Sequence, residues 1–414
     1  MVEPLSPTAD DALPRRSLRP VWGRQRLLWA LTLLSTPALA CAIRRPAPLP
    51  TDPAVASAKA AAVRDSMTAV LRRAIADSAF PGAYAVVGTI HGVIAEVGAG
   101  QLDADDPQPP TATTVWDLAS LTKVIGTTSA MLQLVGQKAV ALDSPVVRYL
   151  PEWKAAGVQR ITVRQLMTHS AGLPAWRPLY KEATTRAQAL QYLYATGPDT
   201  TPGTRFLYSD LGFILLGQLV ERVSGEPLAQ YDTAHVFGPL AMRDTRYLPP
   251  ASWRRRIAPT EIDPWRQRHL RGEVHDENAA RLDGVSGHAG LFSTARDLSR
   301  FARMYLGYGQ LDGRRVMDSA TVAAFIQVQD TTISRRALGW ETPTGGNSSG
   351  RRLSPTAFGH TGFTGTSIWM DPQQGLFVLL LTNRVNPTRQ NTKIGRVRTG
   401  LADAVVAAWR QPVS

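Results

Sequence analysis

The sequence predicts an α+β fold, in which one antiparallel sheet takes strands from both ends of the chain and a helical subdomain is inserted between them. Three observations predict it. The β-branched stretch Ala83 to Gly100 is punctuated at His91-Gly92 and reads as a hairpin. The stretch from about Ser120 to Val223 is dominated by helical apolar spacing. Phe358 to Arg384 then returns to a strand pattern, as two strands joined at Asp371-Pro372-Gln373-Gln374-Gly375.

Taken in order, the chain opens with Arg15, Arg16, Arg19, Arg24 and Arg26, an apolar run from Leu27 to Leu34, and Ala38-Leu39-Ala40. That is the pattern of a signal peptide, and the run is too short for a comfortable membrane span. Arg15-Arg16-Ser17-Leu18-Arg19 also fits twin-arginine export. The single cysteine, Cys41, follows Ala40 directly, where a bacterial lipoprotein carries its lipid. Ala38 suits ordinary signal peptidase equally well, so a lipid anchor and plain secretion both stand, and no internal disulfide can form. Ile43 to Pro53 is proline-rich and aperiodic, as a tether is. The expected organisation is a signal peptide at 1–40, an envelope tether at 41–59 and a folded domain at 60–412. Val55 to Ala79 has helical spacing ended by Pro81-Gly82, and a closing helix runs from about Thr392 to Arg410.

Of the 414 residues, 44% are hydrophobic, ample for a buried core. The formal charge of +13 comes from 46 basic and 33 acidic residues, but no Lys/Arg block is interleaved with aromatics as a nucleic-acid groove requires. Nucleic acid is therefore not expected as a partner. The basicity is arginine spread along the chain and reads as a solvated surface, with attraction to anionic envelope polymers as the alternative.

Three motifs carry chemistry. Ser120-Leu121-Thr122-Lys123 has the form S-x-x-K, which 23 serines and six lysines produce by chance roughly 0.3 times in such a chain. Its context is better, because Leu121, Val124, Ile125, Thr128, Leu132 and Val135 form one apolar stripe, so a helix begins near Ser120. Residues three apart are neighbours on a helix, so Ser120 Oγ can meet the Lys123 amine. Tyr208-Ser209-Asp210 precedes Leu211 to Val223, apolar almost all round and so a buried helix, with Asp210 as candidate N-cap and Gly225 as its stop. Gly359-His360-Thr361-Gly362 opens a strand Phe363 to Met370, and glycines there suit a backbone that something approaches closely, such as a substrate. A serine cap, a buried helix and a hairpin would account for each motif taken alone.

Taken together and in this order, the motifs resemble the serine β-lactamase and penicillin-binding-protein superfamily, in particular its class C β-lactamases, DD-carboxypeptidases, D-aminopeptidases and related esterases. Ser120, Tyr208 and His360 stand 88 and 152 residues apart, as that group requires. Leu166-Met167-Thr168-His169-Ser170-Ala171-Gly172-Leu173-Pro174, Pro202-Gly203, Ala289-Gly290-Leu291-Phe292-Ser293-Thr294 and His360-Thr361-Gly362-Phe363-Thr364-Gly365 extend the likeness over roughly Ala60 to Trp409. The resemblance implies a β-lactamase/transpeptidase-like fold with the site between sheet and helical insertion, and a serine hydrolase without metal or organic cofactor. It implies Ser120 as nucleophile and a shared base role for Lys123 and Tyr208, with Tyr208 passing the proton to the leaving group. The backbone N–H groups of Ser120 and Phe363 would hold the oxyanion.

Two departures bear on substrate. Many relatives carry Asn where this chain has Asp210, a carboxylate that can only accept hydrogen bonds and would bind Lys123 or a substrate amine. It also favours a charged Lys123, which shifts the base role toward Tyr208. Where β-lactamases commonly carry Lys before Thr-Gly, this chain has His360, followed by Thr361, so carboxylate binding is expected to vary with pH near neutrality. Esters or D-amino-acid peptides, a peptidoglycan fragment among them, are therefore expected ahead of β-lactams, with a non-catalytic envelope binding protein as the remaining alternative. Val274-His275-Asp276-Glu277-Asn278 reads as a loop rimming the site, since adjacent side chains seldom converge on one zinc ion. His169 and His288 read as structural. Arg384 and Asn386 could reach a substrate carboxylate or simply end a strand in solvent.

Overall fold

The computed structural model describes residues 53–412. The segment expected to be a signal peptide, Cys41 and most of the expected tether lie outside the described residues. The first helix, α1 (Pro53–Ala76), begins inside the stretch expected to be tether. Lys59 Nζ already donates to Trp409 O at 3.1 Å and lies over the Trp409 ring, so the folded body starts before residue 60. Then come β1 (Gly82–Thr89) and β2 (Gly92–Gly100), the expected hairpin, followed by the helical region with α2 (Thr128–Gly136) and α3 (Asp210–Ser224). After α4 (Ala295–Leu306) the chain adds β3 (Phe358–Thr361), β4 (Ser367–Asp371), β5 (Leu376–Thr382) and α5 (Ile394–Arg410).

The five strands form one antiparallel sheet in the order β3-β4-β5-β1-β2, with Val86 opposite Leu379 at its centre. Two strands were expected between Phe358 and Arg384, and there are three. The chain turns at Gly362 to Thr366, so Phe363 lies in a turn and not at the head of a strand. The glycines are needed for close approach, but by the chain itself. A Cβ on Gly362 would stand 2.3 Å from Leu118 O, and one on Gly359 2.4 Å from the Trp369 ring.

Side chains alternate across the sheet. Ala83, Ala85 and Val87 of β1, with Val378 and Leu380 of β5, pack under α1 and α5. Tyr84 and Val86, with Phe377, Leu379 and Leu381, face the helical region. Both faces are covered, which is why β5 reads as an unbroken apolar run. Each fully buried Val, Leu or Phe among them contributes about 1.5–3 kcal/mol relative to exposure. Helix α3 is buried on nearly every side, as its sequence suggested. Its N-cap is Ser209, whose Oγ accepts from Gly212 N–H, so Asp210 is the first helical residue and its carboxylate is free for another partner. Gly225 ends the helix at φ 75°, its N–H bonded to Glu221 O. Among the described residues no helix is long and apolar enough to cross a membrane.

Candidate active site

The segment carrying Ser120 departs from the regular helix its pattern suggests. It is a 3-10 turn at Ala119–Leu121, a π-helical turn at Lys123–Thr127, and an α-helix only from Thr128. Ala119 has φ 46°, a left-handed conformation that costs a non-glycine residue roughly 1–3 kcal/mol. Asp117 holds it there, one carboxylate oxygen accepting from Ala119 N–H at 2.8 Å and the other from His275 N–H at 2.6 Å. The sharp entry brings half-buried Ser120 to the rim and sends Lys123 beneath it, fully buried.

Lys123 Nζ donates to Ser120 Oγ at 3.0 Å and to His288 O at 3.1 Å, and lies 2.7 Å from Asp210 Oδ1. The last contact is an ion pair whose angles fall outside those of a hydrogen bond. Burial pulls the ammonium's pKa down, but Asp210 and then Tyr208 outweigh it and hold Lys123 above its ordinary range. Tyr208 also rises. Burial is the chief cause and Asp210 adds to it, against Lys123 and hydrogen bonding to Lys123 and Ser120. At neutral pH the resting pair is thus a lysinium and a neutral phenol, and the neighbouring cation does not suffice to favour phenolate.

Tyr208 stands between two imidazoles, with ring centroids 4.4 Å from His169 and 5.9 Å from His360. His360 Nδ1 donates to Thr361 O at 2.8 Å, which leaves a lone pair on Nε2. His169 Nδ1 accepts from Ser209 N–H at 3.1 Å, which places its proton on Nε2. Burial, then Arg336 and Lys123, push both histidines well below their usual pKa. His360 therefore does not switch charge near neutrality, contrary to the sequence expectation, because the sheet encloses it. A depressed histidine pKa adds stability that is present above about 6.5, the unfolded value, and lost as pH falls toward the folded one. Chemical denaturation from pH 7.5 to 5 should show stability declining below about pH 6.5, less steeply in His360→Gln, while turnover shows no His360 ionisation between pH 6.5 and 8.

The turn after β3 is tied to the Ser120 segment. Thr364 Oγ1 donates to Asp117 O at 2.7 Å and Thr366 Oγ1 to Leu118 O at 3.1 Å. Phe363 N–H has no protein acceptor among the described residues, and the Phe363 ring, 49% exposed, lies against the Arg384 guanidinium. Thr361 is half-buried at the end of β3.

Other candidates are used by the chain itself. Arg384 donates through Nε and Nη1 to the carbonyls of Phe363, Arg389 and Asn391, and Asn386 donates to Asp103, so both side chains are tied to the chain itself. His275, Asp276 and Glu277 diverge to Glu261, His288 and Arg389 respectively. Asp210, Asp276 and His288 do place ligand atoms within 4.8 Å of one another, but Asp276 and His288 are bonded to each other at 2.9 Å and the Lys123 ammonium is on Asp210. The group is a hydrogen-bonded cluster packed beside the Lys123–Asp210 pair. Sequence reasoning missed Asp117 and Arg336, whose guanidinium lies 5.5 Å from the Tyr208 ring centroid. Asp117 works partly through His275 N–H and Arg336 through a distant ring, and no local spacing announces either contact.

The Beta-lactamase family model matches residues 67–401. The chain is 34% identical over 303 residues to the N-acetylmuramyl-L-alanine amidase of Bacillus subtilis (strain 168), covering 66% of this chain and 68% of that protein. It is 30% identical over 341 residues to a Salmonella agona (strain SL483) protein named provisionally as a D-alanyl-D-alanine carboxypeptidase, covering 72% and 76%. Among solved structures, EstCE1, a hydrolase with promiscuous acyltransferase activity, superposes with a TM-score of 0.69 at 23% identity, over 84% of this chain and 99% of that one. A class C beta-lactamase from Rhodobacter sphaeroides gives 0.66 at 22%, over 83% and 99%, and these two likenesses speak for the fold alone. The sheet, the inserted helices and the extent of the sequence match agree, and the chain belongs to the beta-lactamase family of serine hydrolases.

Proposed function

We propose that this protein is an exported hydrolase that forms an acyl-enzyme on Ser120 and cleaves esters or amides of cell-wall-type peptides, D-amino-acid peptides and muramyl peptides included. The observation that carries the reading is Lys123 Nζ at 3.0 Å from Ser120 Oγ, with the Tyr208 ring centroid 5.0 Å from the same nitrogen. Because Lys123 donates to Oγ, the Ser120 proton is directed elsewhere, and Tyr208 is the partner in reach. In one concerted relay Ser120 Oγ bonds to the carbonyl carbon, its proton moves to the Tyr208 oxygen, and the phenol proton moves in the same step to the ester oxygen or amide nitrogen that departs. The carbon–oxygen or carbon–nitrogen bond breaks, leaving Tyr208 neutral throughout. Lys123 stabilises charge on both oxygens, while the N–H groups of Ser120 and Phe363 receive the oxyanion. Water then attacks the ester, its proton returning through Tyr208 to Ser120 Oγ. The names of the Bacillus and Salmonella relatives support a cell-wall peptide as acyl donor. The arginine-rich, apolar N-terminal segment supports export, with Cys41 as the residue a lipid anchor would use.

Neutral His360 gives a β-lactam carboxylate no permanent cation, which supports esters and peptides ahead of lactams. The test incubates wild type and Ser120→Ala with a short p-nitrophenyl ester, a chromogenic cephalosporin, a D-alanyl peptide and a muramyl peptide. Wild type should turn over the ester and at least one peptide and show an acyl adduct by mass spectrometry. Ser120→Ala should lose roughly 10⁴-fold or more in kcat. Equal behaviour of the two proteins with no adduct sinks the reading, and rapid cephalosporin turnover alone would make it a β-lactamase.

A further inference from the structure

Two arginines outside the turn that follows β3 hold its backbone. Arg384 Nε donates to Phe363 O at 2.7 Å. Arg398, on α5, donates through Nη2 to Gly362 O at 2.6 Å and to Thr366 O at 2.8 Å. Gly362 C=O and Phe363 N–H are the two ends of one peptide group. A charged donor on the carbonyl oxygen draws electron density from the amide nitrogen and makes the N–H a stronger donor. Bonding Gly362 O and Thr366 O through one nitrogen also fixes the plane of that peptide.

Arg398 makes no ion pair among the described residues, and its Nε is buried without an acceptor. Burial, with repulsion from Arg384, pushes its pKa down to about 10. A cation kept under such conditions is costly unless its contacts matter, and its side-chain contacts are the two carbonyls that bound the turn. A structural plug at this place would need no charge. Thr364 and Thr366 already tie the turn to Asp117 and Leu118, so the added charge falls on one particular peptide.

We propose that Arg398 is a positioning residue, which orients and polarises the Gly362–Phe363 peptide so that Phe363 N–H receives the oxyanion. This rests on the reading of Ser120 as the acylated residue and of Phe363 N–H as an oxyanion donor. Arg398 touches no reacting atom, and it acts through the far end of the amide that does. The effect belongs to the tetrahedral state, where the oxygen carries charge, and not to the bound carbonyl.

The test measures p-nitrophenyl ester turnover by the intact folded domain and its affinity for an arylboronic acid, which adds to the serine as a tetrahedral anion. Arg398→Ala should lower kcat about 10–100-fold, less than or close to the loss from removing an oxyanion donor outright, with KM within about threefold. Boronate affinity should fall by the same factor. Arg398→Lys should recover part of both, and millimolar guanidinium should partly rescue Arg398→Ala. The proposal is overturned if Arg398→Ala keeps kcat and boronate affinity within twofold of wild type. It is equally overturned if Arg398→Lys and Arg398→Ala lose activity only in proportion to folded protein by circular dichroism, with boronate affinity per folded molecule unchanged. Wild type that forms no Ser120 adduct overturns the underlying hydrolase reading before any variant is compared.

Discussion

Tyr208→Phe should lower kcat for an unactivated amide or alkyl ester by roughly 10²–10⁴-fold, the usual worth of a positioned general acid–base group. It should barely move KM, because the phenyl ring retains its packing against His169 and beneath Lys123. The loss should shrink for p-nitrophenyl esters, whose weakly basic leaving group depends less on the relayed proton. That contrast reports how strongly departure depends on the proton relayed through Tyr208. Steady-state kinetics on a leaving-group series checks it, and equal losses across the series would rule Tyr208 out as the donor. With Tyr208 resting as a neutral phenol, wild-type activity should show no phenol ionisation near neutral pH.

Lys123→Ala should abolish turnover and also cost about 3–5 kcal/mol of stability, because it strands Asp210 in a partly buried site without its cation. His288 O loses a donor at the same time. The double variant Lys123→Ala/Asp210→Ala should regain a large part of the stability and none of the activity. Asp210→Asn should behave differently. It removes the chief influence raising the lysine pKa while burial continues to lower it, so a neutral amine becomes accessible and the acid limb of the pH–rate profile should move. Denaturant melts and pH–rate profiles of the three variants check this set. A Lys123→Ala protein as stable as wild type would mean that the ion pair carries no stability.

Much of the site could be read from local sequence. The Ser120–Lys123 contact follows from the spacing of three on a helical turn, and it survives although that turn is 3-10 and then π. Tyr208 was legible as a polar group left at the mouth of an all-apolar helix. Asp210 as the lysine's partner was anticipated from its charge, whereas its expected capping role went to Ser209, whose shorter hydroxyl meets Gly212 N–H. The reading of His360 as a near-neutral titrating group failed. Composition gives an imidazole its ordinary pKa, and only enclosure by the sheet, beside Arg336 and Lys123, removes the charge.

The sequence by itself determined the fold class, the hairpin, the helical insertion and the three motifs, because these depend on side-chain periodicity and on neighbours within a turn. Only the tertiary structure decided protonation states and support. Asp117 on Ala119 N–H, His288 O on Lys123 and Arg398 on Gly362 O join groups that are far apart in sequence or set by the exact path of a turn. The physical reason is that pKa and donor strength depend on burial and on the charges packed alongside. Those are properties of the assembled core, which no local spacing encodes.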